Sequence, residues 1–304
     1  MRDRYYKFST YLKERFGERV HKVSVDANFS CPNRDGKIST KGCIFCNNEA
    51  FSLHTRTGGR GSSLEEQIRR GIEAAKKRFK AKKFIVYFQA YTNTYAPIDV
   101  LKKKYDVIKK FKDIVGLSIA TRPDCIDEET LNLIESYKNN YEVWLEYGLQ
   151  SIHNKTLKFI NRGHTFEDFL KAVEITRKHK IKICTHIIIG LPYETKDMIL
   201  ETAKKMAHLK IESIKIHPLH IVRRTTLEKL FRQGKYTPLE LNTYLDILVD
   251  FLAYLWPKTV IQRVGAYCPP NLLVAPLWIL ERNRVEKELE KRLIEKDYFQ
   301  GKFY

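Results

Sequence analysis

Val143-Trp-Leu-Glu-Tyr-Gly-Leu-Gln-Ser-Ile152, followed by Asn161-Arg-Gly-His-Thr165 and His186-Ile-Ile-Ile-Gly-Leu-Pro192, is the stretch on which the fold turns. Val143–Gly148 and Ile183–Ile189 are apolar, β-rich runs of strand length. Between them Thr165 opens a helix with Phe169, Leu170 and Val173 on one face. Strand, helix, strand is a crossover unit, and crossover units build parallel sheets.

The same alternation extends outward, from about residue 21 to residue 255. Val23–Val25, Phe84–Phe88, Leu117–Ala120 and Ile214–Ile216 supply further strands. Ser63-Leu-Glu-Glu66 reads as a capping box ahead of Ile68, Ile72, Ala75 and Phe79. Thr237-Pro238-Leu239-Glu240 reads as a cap, a first-turn proline and an acidic residue ahead of Leu241, Tyr244, Leu245 and Leu248, and Pro257 ends that helix. The expected architecture is α/β: a partial (β/α)6 barrel of TIM type over 21–235, a helical lead-in over 1–20 and a helical C-terminal extension over 236–304. That extension holds a short β-like piece from about Thr259, a Pro-rich loop and a charged helix from Trp278 onward. A doubly wound open sheet is the competing arrangement, although no Gly-x-Gly-x-x-Gly follows any strand. Either way, ligands bind at the C-terminal ends of the strands.

The hydrophobic fraction of 43% excludes a disordered chain. Charges interrupt every apolar run near the N-terminus, and no stretch is apolar enough to span a bilayer, so a cytoplasmic protein with reduced cysteines and no membrane partner is expected. Lys and Arg number 55 against 36 Asp and Glu, a net charge of +19. Clusters such as Lys76-Lys77-Arg78 and Lys102-Lys103-Lys104 suit a polyanion such as RNA; a Lys-rich solvated shell would read the same way.

The chemistry-bearing cysteines lie in Cys31-Pro-Asn-Arg-Asp-Gly-Lys-Ile-Ser-Thr-Lys-Gly-Cys43-Ile-Phe-Cys46. Three thiols in one short loop suit a metal centre with one coordination position open, whereas a structural zinc site takes four ligands. His54 would complete a Cys3His zinc site, which keeps a purely structural zinc loop in play.

This loop, with Phe45 ahead of its last cysteine, resembles the cluster loop of the radical S-adenosylmethionine (SAM) enzymes. The three segments quoted first, with Thr121-Arg-Pro-Asp124, resemble the radical SAM domain of the Elongator catalytic subunit over roughly residues 20 to 235. Ala266-Tyr-Cys-Pro-Pro270 and Ala275-Pro-Leu-Trp278 look more like the YhcC-like branch, whose members lack the acetyltransferase domain. The resemblance implies a barrel of the radical SAM type and a [4Fe–4S] cluster on Cys31, Cys43 and Cys46 whose fourth iron is chelated by SAM. An electron from the reduced cluster cleaves the sulfonium and starts a radical modification. It also implies RNA, above all tRNA, as substrate, and a donor such as flavodoxin or ferredoxin. A radical SAM enzyme acting on a small metabolite or a protein is the alternative within enzymes. A zinc-bearing RNA-binding module is the alternative outside them.

The resemblance further assigns Gln150 and Arg162 to the ribose and carboxylate of SAM. Phe45 and Gln89 join the cofactor set, and Thr92, Asn93 and Thr94 offer groups to the SAM ammonium. Glu146, on the fourth strand, is expected to be buried with a cofactor or Arg122 as its partner. His186 reads either as a core residue or as a SAM-side group. Cys125 and Cys268 are candidate catalytic cysteines, with Cys268 folding back over Cys125 in a radical-quenching, sulfur-handling or second-cluster role; isolated cysteines more often serve as small buried hydrophobes. Cys184 is expected in the core.

Overall fold

The computed structural model describes residues 3–52 and 62–304; His54 lies outside the described residues. Seven parallel strands form the main sheet: β1 (Val20–Val25), β2 (Lys83–Phe88), β3 (Ile114–Thr121), β4 (Glu142–Gln150), β5 (Lys182–Ile189), β6 (Ser213–Pro218) and, beyond the short β7 (Ile221–Val222), β8 (Val260–Arg263). Their spatial order follows the chain, β1-β2-β3-β4-β5-β6-β8. A doubly wound sheet would reverse direction at a switch point; here the winding never reverses, and the sheet curls into a half-barrel. The expected partial barrel is therefore found with a seventh strand, contributed by the β-like piece near Thr259. β7 pairs with β9 (Leu273–Ala275) in a separate antiparallel ribbon.

Strand periodicity separates the two faces. Val86, Phe88, Leu117, Ile119, Leu145, Tyr147, Ile187, Ile214 and Ile216 belong to the main apolar core beneath the helices. The alternate residues Lys22, Tyr87, Ser118, Glu146, His186 and Lys215 turn to the barrel interior. Each apolar run in the sequence thus carries polar residues that a hydropathy reading passes over, Lys215 between Ile214 and Ile216 being the clearest.

The N-terminal helix Phe8–Phe16 stoppers the floor of the barrel. Tyr11 and Phe8 pack edge-on against Trp144, Lys182 Nζ donates to the Tyr11 hydroxyl at 2.6 Å, and the Tyr11 hydroxyl donates to Glu142. The chain just before that helix meets β8, where Ile261 N–H donates to Tyr6 O at 2.8 Å.

Caps decide where helices begin. Thr165 and Asp168 make a reciprocal capping box for Phe166–Lys178. Ser63 accepts from Glu66 N–H at 3.2 Å ahead of Leu64–Phe79. The expected cap at Thr237 is not used: that helix runs Leu241–Tyr254 from Glu240, with no side-chain cap. Likewise, the C-terminal helix begins at Arg284 after a 3-10 turn over Leu277–Leu280, not at Trp278. No helix among the described residues is long and apolar enough to cross a membrane.

Gly71 sets how closely Leu64–Phe79 approaches the sheet. A Cβ there would enter the van der Waals envelope of Val23 on β1. Alanine gains about 1 kcal/mol of helix propensity, but overpacking costs about 1–3 kcal/mol. Gly71→Ala should therefore lower the denaturant midpoint, and adding Val23→Ala should restore part of the loss beyond what the two single changes predict.

Candidate active site

Beyond β1 the chain enters the cysteine loop, which is fixed by its own backbone. Cys31 O accepts from Arg34 N–H at 2.7 Å and Asp35 N–H at 3.1 Å, and Cys46 N–H donates to Cys43 O at 3.0 Å. Asn33, wholly buried, donates through Nδ2 to Asn161 O at 2.5 Å and to Cys43 Sγ at 3.5 Å. Arg162 Nη1 also reaches Cys43 Sγ at 3.5 Å. Two N–H donors on one sulfur suit a thiolate. Burial, then the neighbouring Cys43, pushes the Cys46 thiol up, while Arg34 works in the opposite sense.

Cys31, Cys43 and Cys46 line a single cavity of about 240 Å³ at the C-terminal ends of the strands. Asn33 Oδ1, buried beside this loop without a partner, is the sort of unsatisfied polar atom a bound group would meet.

Opposite the loop, β4 ends at Gln150 with φ of 78°. Gly148 makes room there: a Cβ would stand 2.6 Å from Arg162 Nη2 and 2.9 Å from Gln150 Nε2. Its carbonyl accepts from Arg162 Nε at 3.0 Å, Arg162 Nη2 at 2.6 Å and His164 Nε2 at 3.2 Å. The guanidinium is thereby anchored with one edge against the cysteine loop. Burial, with Arg162 and Arg122 nearby, lowers His164 to about 3, so its ring is neutral.

Glu146 lies completely buried in the same cavity wall. Oε1 accepts from Lys22 Nζ at 2.6 Å and from the Ser118 hydroxyl; Oε2 accepts from His186 Nε2 at 2.7 Å and from Lys215 Nζ. Burial alone would raise this carboxyl, yet Lys215, Lys22 and His186 together hold it well below the carboxylate range. His186, lowered to about 4 by burial and then Lys215, is neutral and spends its Nε2–H on Glu146. Glu146 is buried as expected, but of its two expected partners, a cofactor or Arg122, Arg122 is not used. Arg122 instead forks onto Asp124, at 2.9 and 2.7 Å, and donates to Arg162 O at 2.7 Å.

Phe45, Gln89, Thr92, Arg122, Glu146, Gln150, Arg162 and His186 all face this cavity with the three cysteines. Asn93 and Thr94 do not. The Asn93 Nδ2 group is taken by Ala120 O at 2.8 Å, while its Oδ1 is buried without a partner among the described residues, and Thr94 bonds Thr121 Oγ1 at 2.5 Å and Cys125 O. Cys125 lines a separate hollow with Thr94 and Ile38, its thiol pushed up to about 12 by burial and then Asp124. Cys268 is sealed in the main core, so the two cysteines are not brought together over the active cavity. Cys184 is buried beside Glu146, as expected of a core residue. Lys22, Lys215, His217 and Arg263 escaped the sequence reading; a lysine between two isoleucines of a strand was the available signal.

The family model of the radical SAM superfamily matches residues 35–206, and that of its C-terminal domain matches 211–295. The chain belongs to the radical SAM superfamily. Radical SAM enzymes work with a [4Fe–4S] cluster and SAM. Protein YhcC of Escherichia coli is 37% identical over 95% of this chain and 92% of its own length. The tRNA uridine(34) acetyltransferase of Methanocaldococcus jannaschii is 28% identical over 53% of this chain and 30% of its own length. The solved structure of Methanocaldococcus infernus Elp3 superposes with a TM-score of 0.69 at 19% identity, covering 92% of this chain and 64% of that one, a likeness of radical SAM fold.

Removing the Glu146 charge would strand Lys22 and Lys215. Glu146→Gln should lower stability by about 3–5 kcal/mol, measured by urea unfolding at neutral pH. The wild-type carboxyl has a depressed folded pKa, so its contribution is complete above the unfolded carboxylate value of about 4.3 and is lost as pH falls through the folded value. The gap between wild type and variant should therefore narrow in acid.

Proposed function

We propose that Cys31, Cys43 and Cys46 hold the [4Fe–4S] cluster, that SAM binds above it against Gln150 and Arg162, and that the radical reaction modifies RNA, with tRNA the substrate. The convergence of one loop's three thiols on the cavity that contains Gln150 and Arg162 carries the cofactor part of this reading. Bound there, the cluster and SAM supply a one-electron reductive cleavage that starts radical chemistry; flavodoxin or ferredoxin is the proposed electron donor.

The residues of the chain have defined tasks in this reading. Arg162, anchored on Gly148 O, presents a fixed positive charge beside Cys43 and toward a carboxylate. Gln150 offers an amide at the strand end, where hydroxyls of a ribose can both donate and accept. Asn33 donates to the Cys43 sulfur, steadying it as a thiolate. Phe45 joins Ile44, Leu157, Ile188 and Leu219 in an apolar cluster that shields the rim from water.

Support for RNA comes from the net charge of +19 and from similarity to the tRNA uridine(34) acetyltransferases. That similarity covers a minority of the acetyltransferase, so acetyl transfer is not proposed.

Anaerobic reconstitution should give a brown protein that forms 5′-deoxyadenosine from SAM and a reductant. Cys43→Ala should lose the visible absorbance, and a colourless zinc protein without SAM cleavage would refute the cofactor assignment. Arg162→Gln should keep its cluster and slow SAM cleavage by about 10- to 100-fold, the worth of a charged hydrogen bond.

The RNA assignment predicts tRNA binding that weakens steeply with salt, and a nucleoside missing from the tRNA of a deletion strain by mass spectrometry. Intact nucleosides together with absent tRNA affinity would overturn it.

A further inference from the structure

The barrel interior has more donors than acceptors, and the surplus is concentrated on one side. Lys22 is saturated: its ammonium donates to Glu146 Oε1 at 2.6 Å, Gln262 Oε1 at 2.7 Å and Ser118 Oγ at 3.2 Å. Glu146 is saturated too, with two donors on each oxygen. Lys215 places one N–H on Glu146 and rests its ammonium 4.1 Å from the centre of the Tyr87 ring, so no second oxygen or nitrogen acceptor engages it among the described residues. The Arg263 side chain has no hydrogen bond or ion pair among the described residues, although it lines the cavity and is exposed.

These two cations are neighbours by construction. The β6–β8 register slips between Ile214 and Lys215, so that Ile214 pairs with Ile261 but Lys215 pairs with Arg263. Such a bulge re-aims side chains. Here it lets consecutive residues of β8 serve one chamber, Gln262 reaching Lys22 while Arg263 comes level with Lys215. Strands in a sheet stand about 5 Å apart, and like charges directly opposite each other repel. His217, two residues beyond Lys215 on the same face, also lines the cavity. Burial, then Arg263, keeps its ring neutral, so it adds a hydrogen-bonding group without further charge. On the side of the cavity away from the cysteine thiols, Glu146 is the one carboxylate among the described lining residues set against Lys22, Lys215 and Arg263.

We propose that Lys215 and Arg263, with His217 beside them, form an oxyanion subsite that holds a phosphate or carboxylate of the substrate within the cavity that the three cysteines also line. The inference rests on this cavity being the chamber for SAM and substrate, and not on the substrate being RNA. A nucleotide phosphate and the carboxylate of a small acid present the same chemistry to such a pair.

The test is a titration of inorganic phosphate into the reconstituted, SAM-loaded protein, followed by 31P line broadening. Saturable broadening is expected. Arg263→Gln, at an exposed side chain, should weaken it by at least about tenfold, the lower worth of a hydrogen bond to a charged group. Lys215→Gln should do the same if it folds, and Lys287→Gln, an exposed lysine on the C-terminal helix, should leave it unchanged. Competition by acetate would mark a carboxylate source, and resistance to acetate a phosphate source. Broadening that never saturates, or that survives Arg263→Gln intact, would overturn the subsite. So would phosphate binding that appears only without SAM, because the pair would then be holding the carboxylate of SAM itself. Because the readout is binding, a protein that takes phosphate at Arg263 but never cleaves SAM would refute the proposed reaction and leave the subsite standing.

Discussion

The carboxylate of Glu146 ties five strands together. Lys22 from β1, Ser118 from β3, His186 from β5 and Lys215 from β6 all bond to the two oxygens that Glu146 brings from β4. In a flat sheet β1 and β4 would stand about 14 Å apart, at about 4.8 Å per strand. A contact of 2.6 Å between Lys22 and Glu146 is natural only when the sheet curls toward its own interior. The ion cluster and the curvature therefore require each other, and the cavity above them inherits its shape from both.

Burying such a cluster is not an efficient route to stability, since apolar residues of equal volume often do as well or better. Its value lies in the restriction it imposes. A carboxylate with all four partners engaged accepts one arrangement of the surrounding strands, and that arrangement places the end of β4, with Gly148 and Gln150, opposite the cysteine loop. Gly148 completes the placement by being small, leaving the space that the Arg162 guanidinium occupies.

Much of this was legible in the sequence. The alternation of strand and helix gave the half-barrel because each crossover unit permits essentially one handedness of connection. The cysteine spacing marked the loop, and Gln150, Arg162 and His186 reach the same cavity because strand ends converge there. The polar interior was harder to see. Lys215 and Lys22 sit among apolar residues that point the other way, so averaging along the strand hid them, and Arg263 depends on a register slip that no local pattern announces. Asn93, Thr94 and Cys268 share the opposite problem. Their chemistry is suitable, but backbone carbonyls and core packing claim them first.

The stopper formed by Phe8, Tyr11 and Trp144 bears on traffic through the molecule. With the floor sealed by aromatic rings, loading and emptying fall to the end that carries the cysteines. Whatever binds nearer that mouth detains whatever lies beneath it. The order of arrival and departure then becomes a property of depth, written into the architecture before any affinity is considered.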